Sequence, residues 1–190
     1  ESLAILDSLA VSAYDTRAVQ AFVLHRLGQF LSLIDYAQAQ DVYERSLALY
    51  QTLGDCWGEA NVRNELGELL LWNRAAYSEA QTFHEQSLDL YRKLGDQKGI
   101  ARALGHLGAL ALFQGRKEGE ALVRESIALY REIGECASME DSFYAAGAAF
   151  IALGAYPEAH TLLDENLTLI RELDARGDAV MVLQSDVKLH

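Results

Sequence analysis

The phrase His84-Glu85 opens like the zinc-protease motif H-E-x-x-H, in which two histidines one helical turn apart hold the ion and the glutamate serves as general base. Leu88 stands where the second histidine is required, so no metal pair forms. His25 and His106 fall two repeat units apart in the periodicity described below. Helices packed about 8–10 Å from their neighbours keep such residues well beyond a shared ion. Gly115-Arg116-Lys117 lacks the upstream glycine spacing of a phosphate-binding loop, and Glu118 follows it in place of Ser or Thr. Cys56 and Cys136 make neither a C-x-x-C redox pair nor a metal-ligand spacing. Acidic residues are plentiful, but no two stand out as general acid and base, and no Ser or Cys has an identifiable partner base. These residues predict no catalytic residue, no metal and no cofactor: the chain reads as a non-enzyme.

Composition narrows the remaining classes. The 190 residues carry 16 Lys+Arg against 28 Asp+Glu, a formal net charge of −12. A surplus of that sign repels phosphate backbones and argues against nucleic acid as a partner. No window of about 18 uninterrupted apolar residues exists, so no membrane span is expected. With two cysteines and no basic-then-apolar leader, the expected setting is reduced and cytoplasmic. A single proline beside 14 glycines leaves few places that forbid helix, so glycine must supply the punctuation.

The elements that position these residues come from an internal repeat. Ser46-Leu47-Ala48-Leu49-Tyr50-Gln51-Thr52-Leu53-Gly54-Asp55 returns at Ser87 to Asp96, at Ser126 to Glu135 and, more weakly, at Asn166 to Asp174. The copies begin at positions 46, 87, 126 and 166, an almost even beat. A second phrase keeps the same beat: Leu27-Gly28, Leu66-Gly67, Leu107-Gly108 and Ala146-Gly147. Such a period marks a repeat architecture. Each unit splits into two stretches whose apolar residues recur at threes and fours, the spacing of a helix. Leu-Gly-Asp ends the second stretch, Gly as a left-handed C-cap and Asp55 or Asp96 as the N-cap of the next helix. Strand signals are absent, and the prediction is all-α.

These phrases resemble the tetratricopeptide repeat, a helix–turn–helix unit that stacks into a right-handed superhelical solenoid. The family's Leu-Gly in the first helix, followed about a dozen residues on by a small residue in the second, is matched by Gly67 with Tyr77 and Ala80 and by Gly147 with Ala159. The third unit departs, with Arg116 and Gly119 where Tyr and Ala are expected, which predicts an irregular start to its second helix. The long period is similar to that of the repeats in Pins-type adaptors, kinesin light chains, and the sensor arrays of bacterial signalling ATPases and LuxR-type regulators. The resulting division is a single solenoid: 1–14 the tail of a preceding repeat, repeats at 15–56, 57–97, 98–136 and 137–176, and 177–190 the start of a fifth unit or a terminal helix. Cys56 and Cys136 share one repeat phase two units apart, beyond the roughly 7 Å Cα limit for a disulfide, so both are expected to be free thiols.

The resemblance implies that first helices line a concave face. Counted from the Leu-Gly landmark, the partner-binding candidates are Phe22, His25, Arg26 and Gln29, then Asn61, Asn64, Glu65, Glu68 and Trp72, then Arg102, His106 and Phe113, and finally Asp141 and Tyr144, with Leu33, Ala109 and Ala148 beside them. Amides can pair with a peptide main chain through both donor and acceptor, and the aromatics could anchor apolar side chains. Each residue taken singly could equally be part of a solvated face or of the packing under a turn. The family's Lys and Asn pattern for C-terminal carboxylates is not met, because His25, Asn64, Gly105 and Tyr144 hold the matching positions. The function implied is a non-catalytic protein- or peptide-binding scaffold, the sensor or docking region of a larger signalling or transcription-regulatory protein. A stand-alone adaptor linking two proteins, and an oligomerisation spacer associating through exposed repeat ends, are the alternatives.

Overall fold

A computed structural model describes residues 16–71, 76–134, 146–151, 153–165, 167–168 and 171–172. Six helices are bounded: α1 (Arg17–Leu31), α2 (Tyr36–Leu53), α3 (Cys56–Leu71), α4 (Tyr77–Leu94), α5 (Gln97–Phe113) and α6 (Glu118–Ile133). Helix follows again at 146–151 and 156–165, and no strand occurs among the described residues. The chain divides into two compact units, Glu1–Gly99 and Ile100–His190.

Backbone chemistry sets the helix ends. Gly54, Gly95 and Gly134 close α2, α4 and α6 in the left-handed region, with φ of 68°, 69° and 74°. After the first two, the amides of Asp55 and Asp96 reach back to the carbonyls of Tyr50 and Tyr91, each at 3.0 Å. Their carboxylates then accept from the amides of Gly58 at 2.9 Å and Gly99 at 3.0 Å, so one Gly-Asp pair ends a helix and begins the next. Asp35 caps α2 in the same way, accepting from the amides of Ala37 and Gln38, both at 3.1 Å. That contact holds the Asp35 carboxyl below its usual range, the Gln38 amide being the largest cause.

Within the first unit, α1 packs on α2, α2 on α3, and α3 on α4. The core where α1, α2 and α3 meet contains Ala21, Tyr43, Tyr50, Val62 and Leu66. Burying a side chain such as Leu66 stabilises the fold by about 1.5–3 kcal/mol. Glycine in the Leu-Gly landmark sits where helices come close. A Cβ at Gly28 would lie 2.5 Å from the Tyr43 ring, one at Gly67 2.7 Å from the His84 ring, and one at Gly108 2.8 Å from the Gly119 carbonyl. At the fourth landmark, a Cβ at Gly147 meets no atom of the described residues within 4 Å.

Second helices also place a serine at one register position. Ser46 Oγ donates to the Ala21 carbonyl of the preceding helix at 2.7 Å, and Ser126 Oγ to that of Ala101 at 2.6 Å. Ser87 Oγ instead donates to the carbonyl of His84 on its own helix, at 3.0 Å. The irregular third unit is visible. Tyr36 and Tyr77 begin α2 and α4, whereas α6 begins two residues past the matching Arg116, after Lys117, whose side chain makes no cap. Gly119 takes the small-residue position there, where a Cβ would come 2.4 Å from the Gly108 carbonyl.

Candidate functional site

The first helices α1 and α3 meet through polar side chains. Glu65 on α3 accepts from Gln29 Nε2 on α1 at 3.0 Å and from the Tyr43 hydroxyl on α2 at 3.3 Å. His25 Nε2 lies 4.0 Å from the same carboxylate, its ring edge-on to Tyr50 with centroids 6.4 Å apart. Burial, joined by the negative charges of Glu65 and Glu68, pushes the Tyr43 phenol far above its ordinary value.

Five of the expected ligand-facing residues are buried instead. Asn61 donates through Nδ2 to the Trp57 carbonyl at 2.7 Å and accepts from the Tyr91 hydroxyl at 3.1 Å. Asn64, with no exposure, sets Oδ1 3.2 Å from His84 Nδ1. His25 and His106 are buried as well, and so is Ala109. The cause is the neighbouring helix: Asn61, Asn64 and Gly67 recur at threes along the side of α3 that meets Tyr91 and His84 of α4. Counting from the landmark finds first helices but does not separate the stripe that packs from the stripe that stays open.

Phe22 and Arg26 are exposed, and Gln29, Glu65 and Glu68 are half-buried on α1 and α3. In the second unit Arg102, Phe113 and Ala148 are half-buried. Trp72, Asp141, Tyr144 and Cys136 lie outside the described residues, while Cys56 is an exposed free thiol.

Glu65 and Glu68 also line a crevice of about 170 Å3 that the sequence did not announce. Its other walls are Ser32 and Leu33 after α1, Tyr36 and Tyr43 on α2, and Leu69 on α3. The matching crevice of the second unit is larger, about 350 Å3, and mixes Arg116 and Lys117 with Glu120, Glu158 and the apolar Leu112 and Phe150. Ser32 and Leu112, like Tyr36 and Arg116, stand two repeat periods apart in the register, so the two crevices open at the same place in their units.

Among the described residues no group of three or more His, Cys, Asp or Glu could hold a metal ion. No described helix is long and apolar enough to cross a membrane. The sequence matches no family model and no curated protein. Among solved structures, BtubC (BKLC) from P. vanneervenii superimposes with a TM-score of 0.68, over 89% of this chain and 70% of its own, at 15% identity. At that identity the likeness speaks for the fold alone. With the paired helices, the Gly-Asp junctions and the glycine crossings, it shows an all-α helical-repeat fold, similar to that of tetratricopeptide repeats.

Proposed function

We propose that the chain is a non-catalytic, cytoplasmic protein-binding scaffold, the sensor or docking region of a larger signalling or regulatory protein. One observation carries the reading: α1 and α3 leave Phe22 and Arg26 exposed and Gln29, Glu65 and Glu68 half-buried on adjoining first helices. An aromatic, both charge signs and an amide on adjoining elements suit a polypeptide better than a small metabolite. Function in such folds resides in surface residues set on the scaffold, and the net charge of −12 disfavours a nucleic-acid partner.

The test is site-specific photo-crosslinking in the producing cell, with benzoyl-phenylalanine at Phe22 or Arg26 and, as control, at the exposed Asp89 of α4. A discrete crosslinked protein from the first two positions and none from Asp89 supports docking on the first helices. Equal yields from all three, or none, count against it. Crosslinks made only to a second copy of the chain point to the oligomerisation spacer.

A further inference from the structure

We propose that the exposed stripe of α1 receives an amphipathic helix from a protein partner, aliphatic along its contact face and carrying one carboxylate opposite Arg26. The inference rests on the protein-binding reading and names the chemistry of the partner's contact. Helical spacing makes the stripe: Val19, Phe22, Arg26 and Phe30 recur at threes and fours along one side of α1. Val19 and Phe22 are each 57% exposed, and Phe30 is 62% exposed. Counted from the Leu-Gly landmark, the same four positions on α3 are Gly58, Asn61, Glu65 and Leu69. None of those is exposed. The second helix that precedes α3 covers three of them: the Tyr50 ring lies over Gly58, the Tyr43 hydroxyl donates to Glu65, and Leu69 shares a core with both tyrosines. A helix closes this stripe on α3, so a helix is the shape that the stripe on α1 fits.

Two residues decide which helix. Val19 stands where α3 and α5 carry Gly58 and Gly99, the glycines against which the rings of Tyr50 and Tyr91 are seated. Second helices α2, α4 and α6 all carry tyrosine at this place, at 50, 91 and 130, and none can seat over a valine as Tyr50 seats over Gly58. A leucine-sized side chain can, so the size of the site turns away a second copy that stacks its own second helices. Arg26 is the other residue. It is exposed, lies within the apolar stripe and has no hydrogen bond or ion pair among the described residues. Two α1 stripes packed about a two-fold axis would set Arg26 beside its own copy, like charge against like. A carboxylate on the incoming helix gives the guanidinium a complementary partner instead.

The probe is the synthetic peptide acetyl-Lys-Leu-Gln-Ala-Leu-Glu-Gln-Ala-Leu-Gln-Ala-Leu-Lys-amide, titrated into the chain and followed through backbone amides by two-dimensional NMR. One twin carries glutamine for the glutamate, and another carries proline at the second alanine, which breaks the helix. Saturable shifts centred on Val19, Phe22, Arg26 and Phe30 are expected, about two- to fivefold weaker for the glutamine twin, as for an exposed ion pair, and lost with proline. The net charge of −12 favours the more cationic glutamine twin, so the opposite preference reports a local contact. Arg26→Gln should erase the difference between the two helices with the circular dichroism spectrum unchanged, and Phe30→Ser should weaken both. Equal binding of the two, a glutamate preference that survives Arg26→Gln, or a proline twin that binds as well would each overturn the proposal. So would nuclear Overhauser contacts in the free chain from Val19 and Phe30 to residues 2–9 or to another copy, because the stripe would then have an occupant of its own. Crosslinking separates the two readings. A cellular protein captured at Phe22 without glutamate-selective binding keeps the scaffold and removes the helix; selective binding with nothing captured keeps the helix receptor and removes the cellular docking.

Discussion

The ring of Tyr50 occupies the space that a side chain at residue 58 would need: a Cβ built on Gly58 comes 2.3 Å from Tyr50 Cδ1. Tyr91 stands in the same relation to Gly99, at 2.2 Å, one repeat later. The last turn of a second helix thus locks onto the first turn of the helix that follows. Gly58→Ala should lower stability by about 1–3 kcal/mol, the usual cost of overpacking. In a Tyr50→Ala background the same change should be neutral, or stabilising by up to about 1 kcal/mol, since alanine is the better helix former. Urea denaturation of the four proteins checks this, and simple additivity would refute the contact.

Asn64→Ala should destabilise by about 1–3 kcal/mol, because a fully buried amide facing His84 is lost. Arg26→Ala, at an exposed site on α1, should change stability by no more than about 0.5 kcal/mol. Thermal melts of the two variants separate a packing residue from a surface one on adjoining first helices.

The three serines of the second helices form a natural series. Ser46→Ala and Ser126→Ala should each cost about 1 kcal/mol, since each removes a buried bond to a neighbouring helix. Ser87→Ala should cost markedly less, because Ser87 bonds within its own helix. Equal losses at all three positions would contradict the geometry.

Alkaline pH should weaken the first unit. Burial and the charges of Glu65 and Glu68 raise the Tyr43 phenol in the folded state, and burial with Asp55 raises that of Tyr50. A raised acid keeps its proton longer when folded than when unfolded. The associated stability is fully present below pH about 10 and falls above it, by at most about 1.4 kcal/mol per pH unit for one proton. Tyr43→Phe should flatten the fall between pH 9.5 and 11 in urea midpoints.

Punctuation was legible in the sequence because it is local. Leu-Gly and Gly-Asp carry their reasons in the backbone, as the positive φ of Gly54, Gly95 and Gly134 and the Asp55 and Asp96 caps show. Gly115 and Gly154, one repeat apart and both left-handed, keep the same beat and could have been read with the others. The roles of Gly58 and Gly99 were less visible, since they depend on which ring arrives from the helix before. The site was harder still. Asn64 finds its partner on the following helix, and whether 61 and 64 or 65 and 68 remain open depends on how α4 is set against α3. The crevice beside Glu65 needs three helices at once, and no single stretch of sequence announces it.

The junction at Gly54-Asp55 and its copy at Gly95-Asp96 share backbone angle, carbonyl contact and carboxylate cap. Residues 55–95 therefore form a cassette with interchangeable ends. Excising them joins Gly54 directly to Asp96 and restores the same two-residue hinge, and it brings Gly99 to the place after Tyr50 that Gly58 holds now. A scaffold with such seams can be lengthened or shortened by whole units without redesigning a joint, so array length can change while the chemistry of each seam stays fixed.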